Sequence, residues 1–130
     1  MIIVLDSNEY INHLNRKDSP DILFSHRNLV ILINDHIIRE VIRNLDASQA
    51  KEFYNILFNK NIDFYGEKLP SALLENFKRI GLKKGDITIA AFCEHIRAEH
   101  LITENRHFLK DIRIEGFQVL SMREFVKKMR

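Results

Sequence analysis

Five side chains able to hold a cation stand at the edges of apolar segments in this 130-residue chain. The run "IIVL" ends in Asp6, and "LIT" ends in Glu104 and Asn105. Asp86 opens the apolar stretch "DITIAAFCEHIRAEH" right after Lys83, Lys84 and Gly85, and Glu40 lies downstream of the run "LVILI". Each has an ordinary role when taken singly: a strand-end turn for Asp6, a solvent-exposed helix face for Glu40, an N-cap for Asp86, and a loop start for Glu104 or a cap for Asn105. A helix N-terminus also stabilises an ionised carboxylate, so a cap and a metal ligand are compatible roles. Taken together the acids pose an electrostatic problem. Two carboxylates about 5 Å apart repel by roughly 3 kcal/mol at an effective dielectric of about 20. Either the acids do not converge, or one is protonated, or a cation sits among them. An all-oxygen donor set suits Mg²⁺ or Mn²⁺. Such ions lower the pKa of bound water and stabilise charge on a transferring phosphoryl group. The chemistry that follows is phosphodiester hydrolysis by a metal-activated water.

For that chemistry the acids must be brought to one place, and the pattern of elements supplies a way. "IIVL" (2–5), "LVILI" (29–33), "IDFY" (62–65), "LIT" (101–103) and "FQVL" (117–120) are short, mainly apolar runs, which read as buried strands. Between them lie helical segments: "SNEYINHLN"; a segment opened by Ser19 and Pro20, an N-cap followed by Pro at the first helical position; and a helix from Asn34 or Asp35 to about Leu45 with the stripe Ile38, Val41, Ile42 and Leu45. Further helices are expected over about 48–59 with Phe53, Ile56 and Leu57 inward, over "PSALLENFKRIGL" ending near Gly81, over about 86–99, over the short "NRHFLKD", and over the terminal "SMREFVKKMR". Strands alternating with helices predict a parallel sheet of about five strands covered on both faces, a three-layer α/β/α sandwich. In such sheets the ligand crevice lies beyond the C-terminal ends of the strands. Asp6, Glu104 and Asn105 occupy such ends, and Asp86 and Glu40 sit on helices that adjoin them.

The totals are consistent with a single domain over 1–130. Hydrophobic residues make up 45% of the chain, enough for a core, and four Gly and two Pro leave no room for a long flexible linker. A net charge of +2 permits a nucleic-acid partner without demanding one. The single Cys93 excludes an internal disulfide framework and suits a reducing, cytoplasmic setting. The start "MIIVLDSN" lacks a basic n-region, and no apolar run approaches the roughly 20 residues of a membrane span.

The segments "IVLDSN", "IIREVIRNL", "KKGDITIAAFC" and "LITENRHF", in this order and spacing, resemble the PIN domain family over essentially the whole chain. Members are mostly Mg²⁺- or Mn²⁺-dependent ribonucleases, and many are the toxin half of VapBC-type toxin–antitoxin pairs. The resemblance implies an endoribonuclease with an RNA substrate, an antitoxin partner if the chain is of the toxin kind, and a homodimer. It implies the strand order 3-2-1-4-5, and Asp6, Glu40 and Asp86 as the acidic metal ligands. Ser7 falls where the family often has Ser or Thr, and Thr103 matches the hydroxyl residue that ends the fourth strand. Asn105 stands where many members carry Asp, which removes one negative charge from the catalytic set; Glu104 beside it is the candidate to compensate.

Basic residues surround these acids in sequence: Lys83 and Lys84 before Asp86, Arg39 and Arg43 beside Glu40, and Arg106 after Asn105. They suit a polyanion whose scissile phosphate meets the metal, although solvated charge is the ordinary role of each. The final helix adds Arg123, Lys127, Lys128 and Arg130, read as a soluble outer face. His36 and Glu40 are one helical turn apart, but no second His completes a zinc-protease spacing. Tyr10, Leu14, Leu23 and Phe24 offer apolar surface for a dimer contact. Two rival readings remain. One is a catalytically weak PIN-like module that binds RNA or protein, with Asn105 marking a decayed site; the three acids argue against it. The other is a receiver-like signalling domain, which wants paired acids after the first strand, a phospho-accepting Asp after the third and a Lys after the fifth. Here those places read "DSN", "YGEK" and "SMRE".

Overall fold

The computed structural model describes residues 1–15, 21–24, 26–111 and 114–129. Five strands form one parallel sheet: β1 (Ile2–Leu5), β2 (Val30–Asn34), β3 (Ile62–Tyr65), β4 (His100–Ile102) and β5 (Gln118–Leu120). Their spatial order is β3-β2-β1-β4-β5, as the family resemblance implied. The chain therefore starts in the middle of the sheet, builds outward to one edge, then crosses back to lie on the other side of β1. Leu5 pairs with Ile102 across that junction, and Asn34 with Tyr65 on the other half. Ile3, Val4, Leu5, Leu101 and Ile102 are wholly buried, as a strand covered on both faces requires.

Among the described residues six helices cover the sheet: α1 (Ser7–Leu14), α2 (Asp35–Arg43), α3 (Ala47–Asn59), α4 (Ser71–Arg79), α5 (Lys84–His95) and α6 (Met122–Met129). Side-chain caps mark the starts of α1, α2, α3 and α6, whereas α4 and α5 begin without one. The Asn34 carbonyl oxygen accepts from the Ile37 amide at 3.0 Å. Asp46 and Gln49 form a reciprocal capping box at α3, and Ser121 and Glu124 form another at α6. The box places the start of α3 at Ala47, one residue ahead of the expected Ser48. A 3-10 turn (Asp21–Phe24) precedes β2, and a π-helical turn (His107–Asp111) stands where the short helix "NRHFLKD" was expected. The expected helix start at Ser19 and Pro20, and the terminal Arg130, lie outside the described residues.

Three expectations need correction. α5 does not run from Asp86 to Glu99. It begins at Lys84, so Asp86 is the third helical residue and caps nothing, and it ends at His95. The stop is a Schellman closure in which the Ala98 amide donates to the Cys93 carbonyl at 2.9 Å and the Arg97 amide to that of Glu94 at 3.1 Å. Arg97 takes φ +56°, where Gly usually stands. In α2 the buried pair is Ile37 and Val41, while Ile38, Ile42 and Leu45 are partly buried. Finally, Tyr10, Leu14, Leu23 and Phe24 are core residues, not dimer surface. Tyr10 packs edge-on against Phe53 at 5.5 Å and against Phe24 at 6.2 Å, so α1 and the 3-10 turn bury this cluster within one chain. Cys93 is a fully buried thiol, pushed well up by burial, as befits a packing residue.

Candidate functional site

The C-terminal edge of β1 is where the acids gather. β1 lies between β2 and β4, so its last residue faces the loops that leave both neighbours. Asp6 continues the sheet by donating its amide to the Ile102 carbonyl at 2.9 Å. Its carboxylate is buried and held at both oxygens. Oδ1 accepts from the Ser7 amide at 2.8 Å, and Oδ2 accepts from the Thr103 hydroxyl at 2.7 Å. Thr103 in turn accepts from the Asn105 amide at 3.0 Å. The Ser7 hydroxyl reaches the second acid, donating to Glu40 Oε2 at 3.1 Å. Ser7 therefore links the acid after β1 to the acid on α2.

The third acid arrives on the first turn of α5. Gly85 lies against α2: a Cβ there would stand 3.8 Å from Glu40 Oε1 and 3.9 Å from His36 Nε2. His36 itself pairs with Glu40 Oε1, one turn further along α2. Asp86, one residue beyond Gly85, receives the Asn105 side-chain amide at 3.3 and 3.4 Å on its two oxygens. The orientation of that amide is fixed from behind, because the Asn105 carbonyl oxygen accepts from the His107 backbone amide at 3.0 Å. Asn105 thus presents N–H groups to Asp86, not a carbonyl oxygen to the crevice.

The electrostatics follow from this packing. Burial pushes the Asp6 carboxyl above the usual carboxylate range, and the hydrogen bonds from Thr103 and the Ser7 amide pull it back down; Glu40 and Asp86 push it up further. Three carboxylates from three separate segments therefore act on one another at this edge. They do not form a closed cage: among the described residues, no three His, Cys, Asp or Glu side chains are disposed to hold a metal ion. Asp6 is held by Thr103 and Ser7, Glu40 by Ser7 and His36, and Asp86 by Asn105. Each acid has its own donors, so convergence on a shared point is not required for stability.

Glu104 turns elsewhere. Its Oε1 accepts from the Met122 amide at 3.0 Å, at the start of α6. Beside it lies Glu9, a carboxyl that sequence reasoning missed. Glu9 is 2% exposed and its Oε1 has no hydrogen-bond partner. Burial, then the charges of Glu104 and Asp6 and a hydrogen bond to Glu104, raise its pKa to about 8. The signal was faint: Glu9 sits next to Tyr10 on the inward face of a short helix, where a polar residue reads as surface. Of the cations, Arg39 pairs with Asp35 at 2.9 Å on an exposed face. Arg43, Lys83, Lys84 and Arg106 are exposed. Lys83 and Lys84 open α5, and Arg106 follows Asn105, which puts these three at the rim of the acid group by position.

No protein-family model matches the chain, and no curated protein is similar to it in sequence. Among solved structures, the fold matches a chain from the crystal structure of VapBC2 of Rickettsia felis bound to a DNA fragment from its promoter. The TM-score is 0.64, the match covers 92% of this chain and 97% of that one, and the identity is 18%. At that identity the likeness speaks for architecture: the five-stranded parallel α/β/α sandwich is a PIN-like fold.

Proposed function

We propose that this chain is a Mg²⁺- or Mn²⁺-dependent endoribonuclease that hydrolyses RNA phosphodiester bonds, acting as a homodimer and as the toxin of a toxin–antitoxin pair. The observation that carries the reading is the mutual arrangement of Asp6, Glu40 and Asp86 at the C-terminal edge of β1 and β4, close enough for Glu40 and Asp86 to raise the Asp6 pKa. The donor chemistry fits a hard divalent cation, since all three are carboxylates. Mg²⁺ keeps several waters and needs one or two carboxylates, so the lack of a three-ligand cage is compatible with an ion held partly through water. When bound at Asp6, Glu40 and Asp86, such an ion supplies a water of lowered pKa and positive charge against the phosphate. The chain's own residues do the positioning. Thr103 and Ser7 keep the Asp6 carboxylate aimed and favour its ionised form. Asn105 holds Asp86, and His36 holds Glu40. Lys83, Lys84, Arg39, Arg43 and Arg106 meet phosphates on either side of the cut.

The test is cleavage of a labelled RNA with Mn²⁺ or Mg²⁺, with EDTA, and by the Asp86→Asn variant. Cleavage that needs the metal and is lost in the variant supports the reading; cleavage that persists in EDTA removes the metal from it. One observation favours a second reading, a catalytically weak RNA- or protein-binding module: Asn105 presents its amide to Asp86 where an acid would add charge. Retarded migration of RNA without any product would establish that reading instead.

A further inference from the structure

Beside the acid group, at the C-terminal ends of β2 and β3, lies an open cavity of about 340 Å³. That volume is at the lower end of the roughly 300–1,000 Å³ range of small-molecule sites. We infer that this cavity is a nucleotide subsite that takes one base of a single-stranded RNA and so sets where the chain cuts; the inference rests on the ribonuclease reading above. Four features point to a base with its ribose phosphate.

The first is place. The cavity opens between Asn34 and Tyr65, the last residues of β2 and β3. Neighbouring strands stand about 4.8 Å apart, so the midpoint between the ends of β2 and β3 lies roughly one and a half strand spacings, or about 7 Å, from the end of β1. An extended RNA strand running along this edge would set a phosphate at Asp6 and an adjoining base in the cavity. The second is continuity. His36 lines the cavity on one side and touches Glu40 on the other. Thr88 lines it from α5, two residues beyond Asp86. The elements that carry the acids are the elements that wall the cavity.

The third is a fixed aromatic. The Tyr65 hydroxyl is 2.8 Å from His95 Nε2 and donates to Glu67 at 3.2 Å, while its ring packs on Phe92 at 5.8 Å. A ring held at both ends offers a stacking surface without losing rotamer freedom on binding. The fourth is chemical complementarity. Leu69 and Leu74 supply an apolar floor, Thr88 and His36 supply polar edges, and Lys68 supplies a cation for a phosphate, while the two acids of the lining are engaged, Asp35 with Arg39 and Glu67 with the Tyr65 hydroxyl. Unstacked bases in single strands are recognised by this mixture of stacking and edge hydrogen bonds.

The experiment records amide spectra of the metal-free protein with adenosine 5′-monophosphate, cytidine 5′-monophosphate and ribose 5-phosphate. The nucleotides are expected to shift the amides of Tyr65, Lys68, Leu69 and Thr88. Ribose 5-phosphate, lacking the base to stack, is expected to bind about tenfold more weakly. Thr88→Met, which narrows the cavity, and Lys68→Ala, an exposed loop change, should each weaken nucleotide binding several-fold. Thr88→Met should also redistribute the cut sites in a random-sequence RNA. Ribose 5-phosphate binding as well as the nucleotides, or spectra in which these amides stay still, overturns the subsite. Because binding is read without turnover, the two ideas separate. Metal-dependent cleavage with no response at the cavity sinks the subsite and leaves the nuclease. A clear cavity response to nucleotides with no cleavage of RNA leaves a nucleotide-binding cavity, overturns its part in choosing the cut and sinks the nuclease.

Discussion

At the scale of single residues, the site is governed by what each carboxylate is bonded to. Asp6 is buried, and burial raises its pKa even after Thr103 and Ser7 have stabilised its charge. Replacing it with Asn removes a disfavoured charge, so Asp6→Asn should abolish cleavage while the thermal midpoint holds or rises. A melting curve beside an RNA assay reads both. Glu9 gives a pH signature. It titrates near 4.5 unfolded and at about 8 folded, so between those values the folded state alone keeps the proton. Unfolding then releases a proton, and stability falls as pH rises, by up to about 1.4 kcal/mol per unit. Glu9→Gln should flatten that slope and stabilise the protein most near pH 8; urea unfolding at a series of pH values checks it. Asn105→Asp would set two carboxylates about 4 Å apart, a repulsion of about 4 kcal/mol at an effective dielectric of about 20. The metal-free variant should be less stable than the parent and should bind Mn²⁺ more tightly by titration calorimetry. The natural protein should hold a single ion tightly. Two equally tight ions in the natural protein, without RNA, would show that the acid set is incomplete. Glu104, engaged at α6, is poorly placed to complete it.

At the scale of elements, the sequence was informative about strands and less so about helix ends. The β3 bounds match "IDFY" as it stands, a four-residue run too short for a helix whose β-branched and aromatic residues favour a strand despite Asp63. α5 was read two residues late at its start and four too long at its end. Its first turn is Lys84, Gly85 and Asp86; Gly85 is a poor helix former, and a Cβ there would meet the His36–Glu40 pair at ordinary contact distance, so that neighbour does not require a glycine. Its stop depends on an arginine in a conformation that residue type does not announce. A non-Gly residue at positive φ costs roughly 1 kcal/mol. Arg97→Gly should therefore stabilise the protein by up to about 1 kcal/mol, with RNA cleavage unchanged. A lower unfolding midpoint in that variant would mean that the Arg97 side chain contributes more than its backbone loses. Neither a helix period nor a propensity scale reports a start that no side chain caps or a stop on a left-handed arginine.

At the scale of the whole molecule, the alternation of apolar runs and helical stripes was enough for the layered architecture, while the strand order came from the family resemblance. Packing between distant segments was not legible. Tyr10, Leu14, Leu23 and Phe24 read as spare apolar surface, yet they close on Phe53 to form the core under α1. A homodimer must therefore draw on other surface, and Phe58, 83% exposed, with Tyr54 and Phe64, is the apolar surface at hand. Light scattering at micromolar concentration should give twice 15.4 kDa for the natural chain and one chain's mass for Phe58→Lys. One chain's mass for both would remove the dimer. Among the described residues no helix is long and apolar enough to cross a membrane.

The order of the strands has a consequence in time. β1 is made before β4, but Leu5 meets Ile102, and Asp6 is held by Thr103, 97 residues downstream. At about 5–20 residues per second, a ribosome takes roughly 5–20 s to deliver that partner. Throughout that interval the nascent chain carries Asp6, Glu40 and then Asp86 without the strand that gathers them. The acid group therefore stays incomplete until the segment that follows β4 has been made, and an activity that depended on it would be silent until then.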